Sequence, residues 1–327
     1  MARAEAGSPE GIGLDVGGTK IAGYLIDGEG TILRKTMTNT PAESADATLE
    51  AMADMVRAVA SEGARAVGIG IAGMIEFGSG VMRYGPHLAF RDVPLRERMA
   101  EMTGLPCLVD NDANAAAWCE YRVGAGRGTM DMLLVTVGTG IGGGIVSGGR
   151  LFRGAHGLGA EIGHVVVERN GPLCGCGNRG CLEAVASGRA IDRLGREAAE
   201  ADSRSLMVEL AGGDPATVTG PMVVEAAFAG DAAATEVLSE VGRRLGQGIA
   251  GMVNVLDPEI VVVGGGAISA GDLLLEPARE TFASSVMGRE HRPEVPIVAA
   301  QRGNAAGGVG AGLLALDERV ASDRLTR

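Results

Sequence analysis

Two stretches of this chain repeat one pattern. In GIGLDVGGTKIAGYLI and again in MLLVTVGTGIGGGIV, an apolar run meets a tight glycine turn and a second apolar run follows at once. That pattern builds a strand–turn–strand unit whose turn presents bare backbone amides. The first round continues with a strand at roughly 31–38, a helix over about 44–62, an apolar strand AVGIGIAG, a helix ending at Gly104 and a strand LPCLVD. Leu49, Met52, Met55, Val56 and Val59 give the 44–62 segment its helical spacing. A further helix opens in NDANAAA, with Asn111, Asp112 and Asn114 at its start. The second round carries a long helical region over about 184–253, interrupted around GGDPATVTGP. The buried strand of EIVVVGGGAI, a helix over 272–288, a last strand VPIVAA and a closing helix from AAGGVGAGLLAL follow. Two βββαβα-like halves of this kind predict an α/β protein with two lobes and a cleft between them.

At 327 residues the chain can carry two cores of ordinary size. Hydrophobic residues make up 46% and aromatic residues 3%, so those cores must be built from Val, Ile, Leu, Ala and Met. A net charge of −12 argues against a nucleic-acid surface, which needs a basic patch. No apolar stretch reaches the ~18 residues that span a membrane, and MARAEAGSPEG lacks the apolar core of a secretory leader. We therefore expect a cytoplasmic protein whose thiols stay reduced.

The first turn, LDVGGTK, is not a Walker A loop, because Lys20 follows Thr19 instead of preceding it. Asp15, Gly17, Gly18, Thr19 and Lys20 suit a phosphate cradle in which Asp15 holds a hydrated Mg²⁺, and they suit a plain β-turn equally. In the second turn, Gly138, Gly140 and Gly143 match G-x-G-x-x-G. The dinucleotide motif then requires a helix, whereas GIVSGG continues as strand, so a second phosphate-binding turn through Gly138, Thr139, Gly140 and Gly142 fits better. A third turn, Gly264, Gly265 and Gly266, lies at the carboxyl end of a strand, where open α/β sheets bind ligands. Asp112 stands at a helix start, where a lone Asp is usually a cap. With Asp110 and Asn111 beside it, it becomes a candidate for accepting a substrate hydroxyl proton.

Three of the five cysteines fall in GPLCGCGNRGC. With His164 they read H-x9-C-x-C-x4-C, a soft N/S donor set for tetrahedral Zn²⁺. A disulfide is disfavoured in the cytosol and across a single intervening residue. His164, Cys174, Cys176 and Cys181 leave no open coordination position, so the zinc is expected to be structural, bracing Glu161 and Glu183 on either side of it. Cys107 and Cys119 have the neighbours of core thiols. His87, after a Gly-Pro turn, stays ambiguous.

Taken together, LDVGGTK, VDNDANAAA, VTVGTGIGGGIV, GAEIGHVVV, CGCGNRGCLEAVASG and VVVGGG resemble the sugar-kinase branch of the ROK family over about residues 11–315. GPHLAFRD is similar to a segment of actinobacterial glucokinases. The resemblance implies the two-lobed, actin-like sugar kinase fold with nucleotide and sugar in the interlobe cleft. It implies a smaller lobe over 1–122 completed by a closing helix over 305–327, and a larger lobe over 123–304 holding the zinc knuckle. It further implies ATP and Mg²⁺ on the Asp15–Lys20 and Gly138–Gly142 turns and adenosine near Gly264–Gly266. Asp112 would be the general base on the 6-hydroxyl of glucose; Gly73, Asn111, Glu161, His164 and Glu183 would contact the sugar. A homodimer or homotetramer is implied as well. Ala72 and His87 depart from the proline and asparagine common in the family, next to the sugar pocket. Kinases for mannose, fructose, N-acetylglucosamine or N-acetylmannosamine remain alternatives, as does a non-catalytic sugar-binding regulator. The family's repressors carry a DNA-binding region ahead of the first turn, for which the ten residues before Gly11 are too few.

Overall fold

The structure, a computed structural model, describes residues 9–325. Residues 1–8, most of the stretch on which the expectations about a leader and a DNA-binding region rest, and the last two residues of the expected closing helix lie outside the described residues. The chain runs through β1 (Glu10–Val16), β2 (Lys20–Ile26), β3 (Ile32–Asn39), α1 (Ala45–Val59), β4 (Ala64–Ile71), β5 (Met74–Glu76), β6 (Val81–Tyr84), β7 (Arg91–Val93), α2 (Leu95–Thr103), β8 (Cys107–Asn111) and α3 (Asp112–Val123). It continues through β9 (Met132–Val137), β10 (Ile141–Ser147), β11 (Arg150–Leu151), α4 (Leu182–Ala186), α5 (Gly188–Ala201), α6 (Leu206–Leu210), α7 (Gly220–Phe228) and α8 (Ala232–Leu256). Last come β12 (Ile260–Gly264), α9 (Asp272–Ser285), β13 (Ile297–Ala299) and α10 (Ala306–Leu325). Among the described residues, 9–130, 144–160 and 301–325 form one compact unit, and 131–143 with 161–300 form another.

The repeated hairpin of the sequence is a repeat of topology. Two five-stranded sheets have the orders β3-β2-β1-β4-β8 and β11-β10-β9-β12-β13. In the first, β1 is antiparallel to β2 and parallel to β4, and β4 is parallel to β8. In the second, β12 is parallel to both β9 and β13. A third, antiparallel sheet, β5-β6-β7, was not anticipated. Its strands have three or four residues, too few for alternation to show in the sequence. The helical region expected over 184–253 is broken more often than foreseen, at Ser187, over Asp202–Ser205 and at Gly230–Asp231 as well as around GGDPATVTGP. Two of these extra breaks are capped: Ser205 Oγ accepts from the Met207 amide at 3.2 Å and Asp231 Oδ1 from Ala234 at 2.9 Å.

In the first unit, Ser44 caps α1, and Leu49, Met52, Val56 and Val59 are buried in one core with Ile12, Leu14 and Ile21 of the sheet. The packing with α10 is made backbone to backbone. A Cβ on Gly13 would overlap the Gly308 carbonyl, and one on Gly68 the Ala311 carbonyl, so α10 lies flush on β1 and β4. In the second unit, α8 buries Val237, Leu238, Val241, Leu245 and Ile249. Its Gly242 and Gly246 abut the Leu274 and Ala278 carbonyls of α9. No helix of the described residues is long and apolar enough to cross a membrane.

Candidate active site and metal cluster

The first glycine turn joins β1 to β2 as expected. The Gly17 amide donates to the Lys20 carbonyl at 2.9 Å, and Thr40 Oγ1 donates to the Gly17 carbonyl at 2.7 Å. Thr19 and Lys20 are exposed at its tip. Asp15, one residue from the end of β1, lies against the first turn of α10, where a Cβ on Gly307 would be 3.1 Å from its carboxylate. Burial, and then the charge of Asp112, push Asp15 from the ordinary 3.8 up to about 6. Asp112 is pushed up as well, chiefly by burial, with the Ala113 amide, which donates to Oδ1 at 2.9 Å, working against it. Asp15 thus feels the charge of Asp112.

The helix cap does not belong to Asp112. Asn111 Oδ1 accepts from the Ala113 amide at 2.8 Å and the Asn114 amide at 3.3 Å, which makes Asn111 the cap of α3 and Asp112 its first helical residue. Asp110 is committed elsewhere. It is 3% exposed, and its carboxylate accepts from the Asn111 amide at 2.8 Å, Asn114 Nδ2 at 2.9 Å and Arg153 Nε at 2.7 Å. Arg153 lies over the Phe77 ring, 3.7 Å from its centroid. Nothing in the sequence pointed to that pairing, whose members are 43 residues apart. Gly73 turns the chain from β4 into β5 at φ 144° with Met82 and Tyr84 pressed against it, where a side chain has no room. His87 is exposed, in the loop between β6 and β7. It sits against the first glycine turn: a Cβ on Gly18 would be 2.6 Å from the His87 Cβ.

In the second unit, the turn after β9 is closed by the Gly138 amide, which donates to the Gly140 carbonyl at 2.9 Å. The first amide of α5, from Gly188, donates to the Gly138 carbonyl at 2.8 Å. On the other side, the Ile141 amide donates to Glu183 Oε2 at 3.0 Å, and Gly140 has no room for a Cβ beside that same oxygen. Gly142 continues into β10. The third turn comes close: a Cβ on Gly265, at φ 87°, would overlap the Val137 carbonyl. Gly138–Gly142 and Gly264–Gly266 are therefore neighbours.

The four soft donors converge. The ligand atoms of His164, Cys174, Cys176 and Cys181 all lie within 4.8 Å of one another. Cys174 Sγ is 3.6 Å from His164 Nδ1, and Cys176 Sγ is 3.7 Å from Cys181 Sγ. A tetrahedral zinc with Zn–S bonds of about 2.3 Å holds its ligands roughly 3.8 Å apart, so donor type and spacing both fit. All five cysteines are free thiols. Burial pushes Cys119 up to about 12 and Cys107 up to about 11, as suits core thiols. Glu161 is exposed and opens the short helical turn that carries His164, its carbonyl accepting the His164 amide at 3.1 Å. Glu183, half-buried on α4, has Oε1 3.6 Å from Cys174 Sγ. A cavity of about 400 Å³ in this unit is lined by Val167, Glu168, Glu240, Arg243 and Arg244 and by none of the expected site residues. Its arginines are paired with Glu236, Glu240 and Glu168.

These arrangements can be set beside known proteins. A model of the ROK family matches residues 11–318. The chain belongs to the ROK family. A glucokinase of Streptomyces coelicolor is 42% identical over 312 residues, covering 93% of this chain and 96% of that protein. The crystal structure of a ROK family glucokinase from Streptomyces griseus in complex with glucose and AMPPNP superposes with a TM-score of 0.84 at 42% identity. It covers 94% of this chain and 99% of that one. An N-acetylmannosamine kinase of Escherichia coli is 38% identical over 315 residues, 94% of this chain and 99% of that protein. The pair of mixed sheets is the actin-like fold of ROK proteins that the resemblance implied. Within this ROK chain, Asp15 to Lys20, Gly73, Asn111 and Asp112 fall in the first unit. The other two glycine turns, Glu161, Glu183 and the His/Cys cluster fall in the second.

Proposed function

We propose that this ROK protein is an ATP-dependent glucokinase that transfers the γ-phosphoryl group to the 6-hydroxyl of glucose. The observation that carries the reading is Asp112. Asn111 caps α3 in its place, which leaves the Asp112 carboxylate half-buried at the helix start with only the Ala113 amide on Oδ1, and desolvation pushes it above the ordinary carboxylate value. The identity to glucokinases from Streptomyces supports the choice of sugar.

In this mechanism ATP brings the phosphoryl group, and Mg²⁺, when bound, neutralises charge on the phosphates. The chain's residues then have separate tasks. Asp112 accepts the hydroxyl proton as the oxygen attacks. Asn111, Gly73, Glu161, His164 and Glu183 orient the sugar, with His164 serving the zinc cluster as well. Asp15 is the carboxylate for the hydrated cation, whose charge would favour the ionised form that burial and Asp112 disfavour. The amides of Gly17, Gly18 and Thr19, with Lys20, and those of Gly138, Thr139, Gly140 and Gly142 offer a preorganised field for the phosphates. Gly264, Gly265 and Gly266, beside the second turn, suit the adenosine. Zinc at His164, Cys174, Cys176 and Cys181 has a structural task. The reading includes a cytoplasmic homo-oligomer.

The identity to N-acetylmannosamine kinases favours one second reading, a sister kinase with the same mechanism. The test is ATP- and Mg²⁺-dependent phosphorylation of glucose, mannose, fructose, glucosamine, N-acetylglucosamine and N-acetylmannosamine. Strong preference for glucose is expected. Preference for an N-acetylated sugar moves the assignment to the sister kinase, and no turnover on any sugar removes the kinase reading. Asp112→Asn should fold, bind glucose and lose about 10²–10⁴-fold in kcat. Near-normal turnover takes Asp112 out of the mechanism.

A further inference from the structure

Glu183 touches two features of the second unit at once. Its Oε2 accepts the Ile141 amide, at the point where the second glycine turn becomes β10. A Cβ on Gly140, the residue before, would overlap that same oxygen and displace the carboxylate. Glu183 also rides on α4 two residues after Cys181, which is fully buried and forms a bridge with Val166. The Leu182 amide donates to the Val165 carbonyl at 2.9 Å, next to His164. Cys181, one of the four donors, is the residue from which α4 starts, and Cys174 Sγ lies 3.6 Å from Glu183 Oε1, so the cluster adjoins the carboxylate that meets the turn.

We infer that Glu183, besides the sugar contact proposed above, is a positioning residue that ties the His/Cys cluster to the Gly138–Gly142 turn, so that zinc loading and nucleotide affinity are linked. The inference rests on the reading of that turn as a phosphate site. A carboxylate hydrogen bond fixes the Ile141 amide where the turn must offer its N–H groups, and a half-buried charged bond of this kind is stronger than a neutral one. The linkage is reciprocal: whatever the metal adds to nucleotide binding, the nucleotide adds to metal retention.

The experiment measures binding of a non-hydrolysable ATP analogue with Mg²⁺, without sugar, by calorimetry in the zinc-loaded protein. Glu183→Ala is expected to weaken it about tenfold and to remove exchange protection from the Ile141 amide. Glu183→Gln, which keeps an acceptor oxygen, should stay within about threefold of the parent. Gly140→Ala pushes the carboxylate off the turn and should match Glu183→Ala, and the double variant should be no worse than either single one. Unchanged affinity in Glu183→Ala, or losses that add in the double variant, would overturn the inference. Zinc release to a chromogenic chelator should be slowed by the analogue in the parent and unaffected by it in Glu183→Ala. Release that ignores the analogue in the parent sinks the link to the cluster. If nucleotide binds as described but no sugar is phosphorylated, the glucokinase reading fails and this inference stands. If the parent binds no nucleotide, both fail.

Discussion

At the scale of single residues, two carboxylates of the proposed site, Asp15 and Asp112, are held away from their ordinary protonation. Asp15 in the folded chain titrates near 6 against an ordinary 3.8. The folded state therefore binds this proton more tightly than the unfolded chain does. The resulting stabilisation is complete below about pH 4 and is lost as pH rises through about 6. At neutral pH the ionised, buried carboxylate costs stability, so Asp15→Asn should stabilise the metal-free protein by on the order of 1–3 kcal/mol. Urea denaturation at about pH 7.5 and about pH 4 checks this; the gain should shrink toward zero at the lower pH. Activity runs the other way. The raised pKa values of Asp15 and Asp112 place the acid limb of kcat/KM above the usual carboxylate range, and a profile flat down to about pH 4 would contradict the assigned roles. The carboxylates were visible in DVGGT and VDNDANAAA as residue types. Which of Asp110, Asn111 and Asp112 caps, which pairs and which is left for chemistry was not, because Arg153 reaches Asp110 only in the folded chain.

At the scale of elements, α10 and α3 show how the sheet of the first unit is held. Gly13→Ala should cost about 3 kcal/mol, since its methyl group meets a backbone carbonyl of α10 that cannot rotate away. A smaller loss in denaturation would mean that α10 can shift. Glu120, on α3 and fully buried, accepts the Ala125 and Gln301 amides through Oε2 and the Arg302 amide through Oε1, at 2.9, 3.1 and 2.7 Å. It joins the end of α3 to the segment leading into α10. Glu120→Ala leaves three inward amides without an acceptor and should destabilise by roughly 3 kcal/mol, measured the same way. The helix-start residues of NDANAAA and the stretch AAGGVGAGLLAL located both helices and gave no sign of this joint. The chain between them is long, and a single Glu in a helix ordinarily reads as surface charge.

At the scale of the whole molecule, the metal is the feature most open to direct test. Purified protein should carry zinc, and Cys176→Ser should lose metal and sugar binding together; full glucose turnover in a protein shown to be metal-free would contradict the structural assignment of the cluster. The spacing of His164, Cys174, Cys176 and Cys181 was enough to name these ligands, because short glycine-rich segments leave a soft donor set few other arrangements. The two hairpins, the three glycine turns and the order of the main strands and helices, the short β5-β6-β7 sheet and the extra helix breaks apart, were legible for a related reason. Period and turn chemistry are local, and a sequence records local preferences directly. Partners remote in sequence left no such record. The pairing of Asp110 with Arg153, the amides gathered by Glu120, the meeting of Gly265 with the end of β9 and the hold of Glu183 on Ile141 depend on packing, which sets distances between groups that the chain keeps far apart.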